Sequence, residues 1–193
     1  MVLFVTVLSA QDRIKEAGLS FYNLDGFGLN YKVGTPEKLW RFNSMYGSGY
    51  NHRDTDVSIQ TDRKNFGVTF SAGREFRKSL ADDFEFRYGF DISFGYERYR
   101  FESRNVDTDA RLALEKRKAY NPGVNAVLGI NYLIKKQIVI GAEVLPGISY
   151  RTGTKENLNV YNGETSEVKS SDFNFGISSS SVLLVIAYRF DAL

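Results

Sequence analysis

The chain alternates between apolar and polar residues over long stretches, most regularly in DFEFRYGFDISFGYERYRF, residues 83–101. Every even position from 84 to 96 is Phe, Tyr or Ile, and the odd positions between them are Glu, Arg, Gly, Asp or Ser. Side chains of a β-strand point alternately to its two faces, so this pattern predicts a strand with one apolar face. The run is longer than the roughly 5–6 residues of an ordinary soluble strand and the roughly 9–11 residues of a tilted membrane strand.

The same alternation predicts eight strands, whose connections differ in length in a regular way. From the second strand onward, the short turns GTPEK, RKSLAD and KKQ lie at one end, and long polar segments at 47–64, 103–122 and 152–171 lie at the other. An even number of strands with this arrangement is typical of outer-membrane barrels. We therefore predict an all-β fold, an eight-stranded antiparallel up-and-down transmembrane barrel.

Three local irregularities are expected within this plan. Pro146 interrupts the seventh strand and predicts a bulge there. In the last strand the apolar residues change from odd to even positions, which predicts a second bulge near the serines at 178–181. The segment RLALEKRK, residues 111–118, is compatible with a helical turn inside one of the long polar segments.

Aromatic residues are concentrated at both ends of the predicted strands, and aliphatic residues lie between them in the last three strands. Two aromatic girdles around an aliphatic band match the two interfaces of a bilayer. The apolar face is therefore expected to point outward to lipid. The predicted lipid-facing girdle comprises Trp40, Phe42, Tyr46, Phe84, Tyr96, Tyr132, Tyr150, Tyr188 and Phe190.

The opposite face carries charged residues among many Gly, Ser and Asn residues. In a narrow barrel this face fills the interior, where charges of opposite sign have to pair. Its four basic and five acidic residues can do so across the strands, so we expect a plugged lumen and a poor pore. The predicted lumen ion network comprises Lys32, Arg41, Glu75, Glu85, Arg87, Asp91, Glu97, Glu143 and Arg189.

Composition narrows the possible functions further. The 193 residues are enough for one domain, and 25 basic against 23 acidic residues give no net charge that favours nucleic acid. Cysteine is absent, which excludes disulfides and thiolate metal sites. Residues 1–10, MVLFVTVLSA, resemble a truncated signal peptide that lacks its basic segment, so export is expected and residues 11–193 are expected to form the barrel domain.

With its eight-strand plan, the LSAQ before the expected mature start and the closing VLLVIAYRF, the chain resembles the small outer-membrane β-barrel proteins of Gram-negative bacteria, of the OmpA-transmembrane and OmpX type. The resemblance covers nearly all of the mature chain. It implies location in the outer membrane, outer-membrane lipid as a partner, and recognition of the C-terminal strand, which ends in an aromatic residue, by the barrel-assembly machinery.

Candidate sites for chemistry are few. His52 is the only histidine, and Asp54, Asp56 and Ser48 lie close to it in sequence, as in barrels that modify lipids. A solvated loop explains these residues better, because nothing fixes a base and a nucleophile together. Asp54, Asp56 and Asp62 do not match a calcium loop, so neither a metal nor a cofactor is predicted. The run EKRK, residues 115–118, could contact lipid phosphates, although a charged loop is favoured.

The sequence thus predicts a non-enzymatic barrel with a structural or surface-interaction role, whose external loops bind a partner that the residues do not identify. Two alternatives stay open. One is a soluble ligand-binding barrel of the lipocalin type, in which the aromatic rings would line a cup. The other is a lipid-modifying barrel enzyme that uses His52.

Overall fold

The computed structural model describes residues 13–22, 26–46, 50–158, 163–177 and 182–191. The predicted signal peptide, residues 1–10, lies outside these ranges. The described residues contain no helix that could span a membrane. They form the strands β1 (Ile14–Tyr22), β2 (Gly26–Thr35), β3 (Lys38–Tyr46), β4 (Tyr50–Asp56), β5 (Ile59–Ala81), β6 (Phe84–Asn105), β7 (Arg111–Ile134), β8 (Ile138–Val144), β9 (Gly147–Leu158), β10 (Thr165–Gly176) and β11 (Val182–Asp191).

Eight of these strands close into a ring. Going round it, the neighbours are β1, β2, β3, β5, β6, β7, β8 and β11, and β11 pairs again with β1. Every pairing is antiparallel. Closure leaves no free strand edge around the ring, as a lipid environment requires. The predicted eight-stranded antiparallel up-and-down barrel is therefore confirmed.

The strands are joined at one end of the barrel by tight turns. Lys135 and Lys136 have φ angles of 52° and 58°, and the amide of Gln137 donates to the carbonyl of Ile134 at 3.1 Å. Two successive residues with positive φ match the twist of a type I′ hairpin. In outer-membrane barrels the end with short turns faces the periplasm, so the opposite end faces outward.

The interruption at Pro146 is real, but it is not a bulge. β8 ends at Val144 and β9 begins at Gly147, and both strands pair with β7. Val144 pairs with Leu128 and Gly147 with Asn125, so the two residues between these pairs on one strand lie opposite two residues on the other. The predicted bulge at this position is wrong, because proline removes one hydrogen-bond donor without inserting a residue.

The register of the last two strands changes between β10 and β11, on either side of the predicted irregularity. Gly176 of β10 pairs with Gly147, whereas Val182 of β11 pairs with Val144. From Gly176 to Val182 the chain advances six positions, whereas the paired strand advances three, from Gly147 to Val144. Because the difference of three residues is odd, side chains at positions of the same parity point to opposite faces in β10 and β11. The serines at 178–181, where the sequence predicted this change, lie outside the described residues.

The segments predicted as long outer loops are mostly strands. β5, β6 and β7 contain 23, 22 and 24 residues, about 75 Å of strand at 3.3 Å per residue and far more than a bilayer needs. The helical turn predicted within 111–118 is wrong, because these residues belong to β7. Beyond the barrel, parts of β4, β5, β6, β7, β9 and β10 (within residues 50–65, 98–118, 152–158 and 165–171) form a sheet, called here the projecting sheet.

Candidate functional site

The two faces of β6 show which side of the barrel meets lipid. Phe90 and Phe94 are 51% and 49% exposed, whereas Arg87 and Asp91, at odd positions of the same strand, are fully buried. In a soluble protein such rings would be inside and such charges outside. The rings point away from the barrel axis and the charges towards it, so the soluble lipocalin-type alternative is wrong.

The predicted girdle residues whose side chains the structure describes lie on this outer surface. Pairs of rings face each other across neighbouring strands, with centroids 5.0 Å apart for Phe84 and Tyr132 and 5.5 Å apart for Tyr96 and Tyr120. Tyr96 is half-buried, and the side chain of Tyr46 lies outside the described part of the structure. The others are exposed: Trp40, Phe42, Phe84, Tyr132, Tyr150, Tyr188 and Phe190.

One cation also lies on the lipid-facing surface. Arg74 is directly opposite Trp40 on the neighbouring strand, and its guanidinium carbon lies 4.8 Å from the centroid of the indole ring. A cation over an aromatic face is electrostatically stabilised, more so when water is excluded. Arg74 therefore interrupts the apolar pattern of β5 without leaving an unpaired charge in hydrocarbon.

Arg41 is the centre of the charged interior. One of its terminal nitrogens lies 3.1 Å from Oε2 of Glu75 and 3.1 Å from Oε2 of Glu143, and the other lies 2.9 Å from Oε1 of Glu143. Its Nε lies 3.1 Å from Oδ1 of Asp91. One guanidinium group thus joins carboxylates from three other strands, which is the multidentate geometry that arginine favours.

Lys32 and Arg87 complete this group. Nζ of Lys32 donates to Oε2 of Glu75 at 2.8 Å, and Nη2 of Arg87 lies 3.3 Å from Oε2 of Glu143. Neither the guanidinium nitrogens of Arg87 nor the carboxylate oxygens of Asp91 form a well-directed hydrogen bond with a described residue. Their contribution is therefore mainly Coulombic, while hydrogen bonds join Lys32, Arg41, Glu75 and Glu143.

A second group of charges lies nearer the periplasmic end of the interior. Arg77 donates to both oxygens of Glu16, at 2.7 and 2.6 Å, and its Nε donates to Glu75 at 2.7 Å. Arg189 donates to Glu16 and to Glu85, each at 2.8 Å. Because Glu75 belongs to both groups, the interior charges form one connected network, which we call the interior network.

The interior network differs from the predicted set in three residues. Glu16 and Arg77 belong to it but were not predicted, although Glu16 has the parity of inward-facing Gly18 and Ser20 and Arg77 lies two residues after Glu75. Glu97 was predicted but lies apart, half-exposed, 2.5 Å from Arg151. The network therefore contains five cations (Lys32, Arg41, Arg77, Arg87 and Arg189) and five carboxylates (Glu16, Glu75, Glu85, Asp91 and Glu143).

Part of the interior is apolar, which the sequence analysis did not predict. Leu133, Val139, Val185 and Ala187 form a buried cluster on β7, β8 and β11. These residues alternate with outward-facing apolar residues such as Leu184 and Ile186, so both faces of β11 are apolar there. The interior thus contains both buried apolar side chains and buried ion pairs.

The projecting sheet has a charge cluster of its own around Glu102. Arg100, Arg104 and Arg111 donate to its carboxylate at 2.7, 2.8 and 3.0 Å. Burial alone would raise the pKa of Glu102, but the three arginines outweigh burial and lower the pKa to about 2. This carboxylate is therefore ionised at any physiological pH.

The candidate catalytic and metal-binding residues are in the same sheet. His52, Asp54 and Asp56 lie in β4, an exposed outer strand, and Ser48 lies outside the described residues. Asp62 is paired with Arg53 at 2.7 Å across the β4–β5 hairpin. Within the described ranges, no group of three or more His, Cys, Asp or Glu side chains could hold a metal ion.

The fold and its lipid-facing exterior define the class of the protein, an outer-membrane β-barrel. No protein-family model and no curated protein sequence matches the chain. Among solved structures, it is similar to a major outer membrane protein from Thermus thermophilus, with a TM-score of 0.51 and 14% identity over 95% of this chain and 100% of that one. It also matches Ail, the attachment invasion locus protein of Yersinia pestis, with a TM-score of 0.37 and 17% identity over 93% of this chain and 99% of that one.

Proposed function

We propose that this protein is a closed anchor in the outer membrane that holds the projecting sheet outside the cell as an interaction surface. The observation that carries this proposal is the interior network, in which five cations balance five carboxylates inside the barrel. An ion that passes through must disrupt buried pairs, and leaving a buried charge without its partner is costly. The function is therefore assigned to the outer surfaces rather than to a pore.

Conductance measurements test this plugged state. The purified barrel in a planar lipid bilayer is expected to give no large, stable current. The double variant Arg41→Ala/Arg87→Ala removes two fully buried guanidinium groups that contact Glu143, and it is expected to open the barrel to ions. The matched variant Arg53→Ala/Arg63→Ala in the projecting sheet should give no large, stable current. Large, stable currents from the unaltered protein would contradict the proposal.

Support for an interaction role comes from the edges of the projecting sheet. Among the described residues, β4 pairs only with β5 and β10 only with β9, so each presents an edge with unused backbone donors and acceptors. Such edges can accept a strand from another chain. We infer that the external partner is a protein that binds at these edges, whereas the residues themselves do not identify it.

A belt of basic residues supports outer-membrane lipid as a second partner. On β5, β6 and β7, the positions just beyond the outer aromatic residues Tyr96 and Tyr120 are cationic and have the same outward parity as those rings. The strand register pairs Arg98 with Lys118, and Arg100 with Lys64 on one side and Lys116 on the other. Arg100 and Lys116 pair with Glu102 and Glu156, at 2.7 and 3.5 Å, whereas Arg98 and Lys118 form no ion pair with a described residue. Like charges directly opposite each other are unfavourable in a sheet, so an anion from outside the chain would offset the repulsion between Arg98 and Lys118. The phosphates of outer-leaflet lipids lie at this height and suit these cations.

This basic belt gives a second measurable expectation. The variant Arg98→Gln/Lys118→Gln should weaken binding to vesicles of phosphorylated lipid A about 30-fold, because each cation near an anionic surface contributes about 1 kcal/mol. The matched variant Lys135→Gln/Lys136→Gln removes the same charge at the periplasmic turn and should bind normally. Equal binding by both variants, or equal binding to dephosphorylated lipid A, would rule out a phosphate-binding belt.

Two further assignments belong to the proposal. We propose that β11, the closing strand with the exposed ring of Phe190, is the segment that the barrel-assembly machinery recognises.

We assign no reaction to the protein. The enzyme alternative depends on His52, and the location of this residue in an outer hairpin, exposed to solvent, does not favour a water-excluded reaction centre.

A further inference from the structure

The outer half of the barrel interior contains a cavity of about 490 Å³, which we call the cup. Glu97 is the one charged residue in its described lining; eleven of the others are small polar or glycine residues, and eight are apolar or aromatic, among them Met45 and Leu183. The floor is the level of Arg41 and Asp91, which lie two residues below Asn43 and Ser93 on their strands. The volume is within the range of small-molecule sites, roughly 300–1,000 Å³.

The polar groups of the cup form a ring because the strand register aligns them. Asn43 pairs with Ser71, Ser71 with Ser93, and Ser149 with Asn174, while Gly123 joins the two halves of this row. Five of the six neighbouring strands that this row crosses therefore supply one hydroxyl or carboxamide each at the same level, and β7 supplies Gly123. A single register row with this composition is a constructed polar surface, not a random mixture of lining residues.

Neighbouring side chains position part of this ring. Asn43 donates to Ser71 at 3.3 Å and Asn125 donates to Ser93 at 3.2 Å, which orients both amides. The buried Oδ1 of Asn121, on the level above, accepts no hydrogen bond from any described residue. A buried acceptor without a donor is costly, so this oxygen indicates that a donor from outside the chain belongs in the cup.

We propose that the cup binds a neutral saccharide. Hydroxyl and carboxamide groups both donate and accept hydrogen bonds, which matches the hydroxyl groups of a sugar. Tyr22, which has the inward parity of Gly18 and Ser20, adds an aromatic ring to the lining, against which the apolar face of a sugar ring can pack. The source is either free sugar or a sugar unit of a surface polysaccharide, since both present the same chemistry.

Other ligand classes fit the cup less well. An anion or cation would lose its hydration against uncharged walls, because the one lining charge, Glu97, is already paired with Arg151. An acyl chain would cover Asn and Ser groups without hydrogen-bonding to them. The neutral, polyhydroxylated class is what remains.

The test is calorimetry and saturation-transfer NMR on the full chain in lipid nanodiscs. The probes are methyl glycosides of glucose and galactose, glucuronate and glucosamine as charged analogues, and oligosaccharides released from lipopolysaccharide. A neutral probe is expected to bind more tightly than its charged analogues. Asn121→Leu should weaken its binding about tenfold by removing one hydrogen-bond acceptor. The same change at Asn51, exposed in β4, should have no effect.

The probes distinguish the two possible sources of the sugar, and the variants show which results would overturn the proposal. Binding of methyl glycosides assigns free sugar as a sufficient ligand, and binding of the released oligosaccharides alone assigns a surface polysaccharide. Ser93→Leu, which fills the cup from another strand, should also weaken binding. The proposal is overturned if no saccharide binds at millimolar concentration, if charged analogues bind better, or if Asn121→Leu and Ser93→Leu, shown to be folded by heat-modifiable gel mobility, bind like the unaltered protein.

Discussion

Replacing Glu75 with glutamine is expected to lower the free energy of unfolding of the barrel by about 3–5 kcal/mol, the cost of removing one partner from a buried ion pair. Glu75 is fully buried and receives hydrogen bonds from Lys32, Arg41 and Arg77. Glutamine keeps nearly the same shape but leaves five cations facing four carboxylates. Glu75 is also the one carboxylate within 4 Å of Lys32 among the described residues, so Lys32 becomes an unpaired buried charge.

Urea unfolding in lipid vesicles measures this effect, with the fluorescence of the single tryptophan, Trp40, as the signal. Glu97→Gln is the matched control, because Glu97 is also an interior carboxylate paired with an arginine. That pair is 50% and 47% exposed, and exposed pairs contribute at most about 1 kcal/mol. Equal losses of stability in the two variants would contradict the interior network as a source of stability.

A double variant separates charge balance from simple loss of contacts. Lys32→Met/Glu75→Gln removes one charge of each sign, so four cations again balance four carboxylates. Its loss of stability is therefore expected to be smaller than the sum of the two single losses, since residues in one ion network are coupled. Strictly additive losses would mean that Lys32 and Glu75 act independently, in conflict with their 2.8 Å contact.

The barrel was predictable from sequence because lipid imposes a simple rule on each strand. Wherever the exterior meets hydrocarbon, every second residue must be apolar, and the run from Phe84 to Tyr96 obeys this rule without exception. The same parity predicted which residues face inward. The parity placed Arg87 and Asp91 in the interior, where the structure shows them fully buried. Burial statistics for soluble proteins would have placed these charges on the surface.

The projecting sheet was missed because water imposes no such rule. A strand with solvent on both sides needs no apolar face, so its sequence pattern cannot be distinguished from that of a polar loop. Its stability comes instead from long backbone ladders and from ion pairs across strands, such as Arg53 with Asp62 and Lys155 with Glu115. Charge complementarity between strands becomes visible only once the register is known.

Glu16 and Arg77 were missed for a related reason. The ends of the predicted strands were set by where the apolar face stopped, and Arg77 lies just beyond Phe76, the last ring of its strand. The structure continues β5 to Ala81, four residues after Arg77. The alternation of inward and outward positions therefore continues beyond the last apolar residue of a strand. A prediction from this alternation alone would have included both Glu16 and Arg77.

Ala126→Arg is expected to destabilise the barrel by about 2–4 kcal/mol, the cost of arginine on the lipid face near the bilayer midplane. Ala126 is exposed on β7, midway between the outer aromatic residue Tyr120 and the girdle residue Tyr132. Its small side chain makes few contacts that the substitution could remove, so the measured cost is mainly that of placing a cation in hydrocarbon. Urea titration in vesicles, again followed by Trp40 fluorescence, gives the value.

Ala81→Arg is the matched control, because it makes the same change at an exposed position where β5 ends at the periplasmic turn. Near the interface the cost falls to about 0–1 kcal/mol. The difference between the two variants therefore measures depth in the bilayer and nothing specific to arginine. If the exterior faced water, Ala126→Arg would be an ordinary surface substitution, within about 0.5 kcal/mol of neutral. Equal stability of the two variants would thus show that the rings of β6 and β7 do not contact lipid.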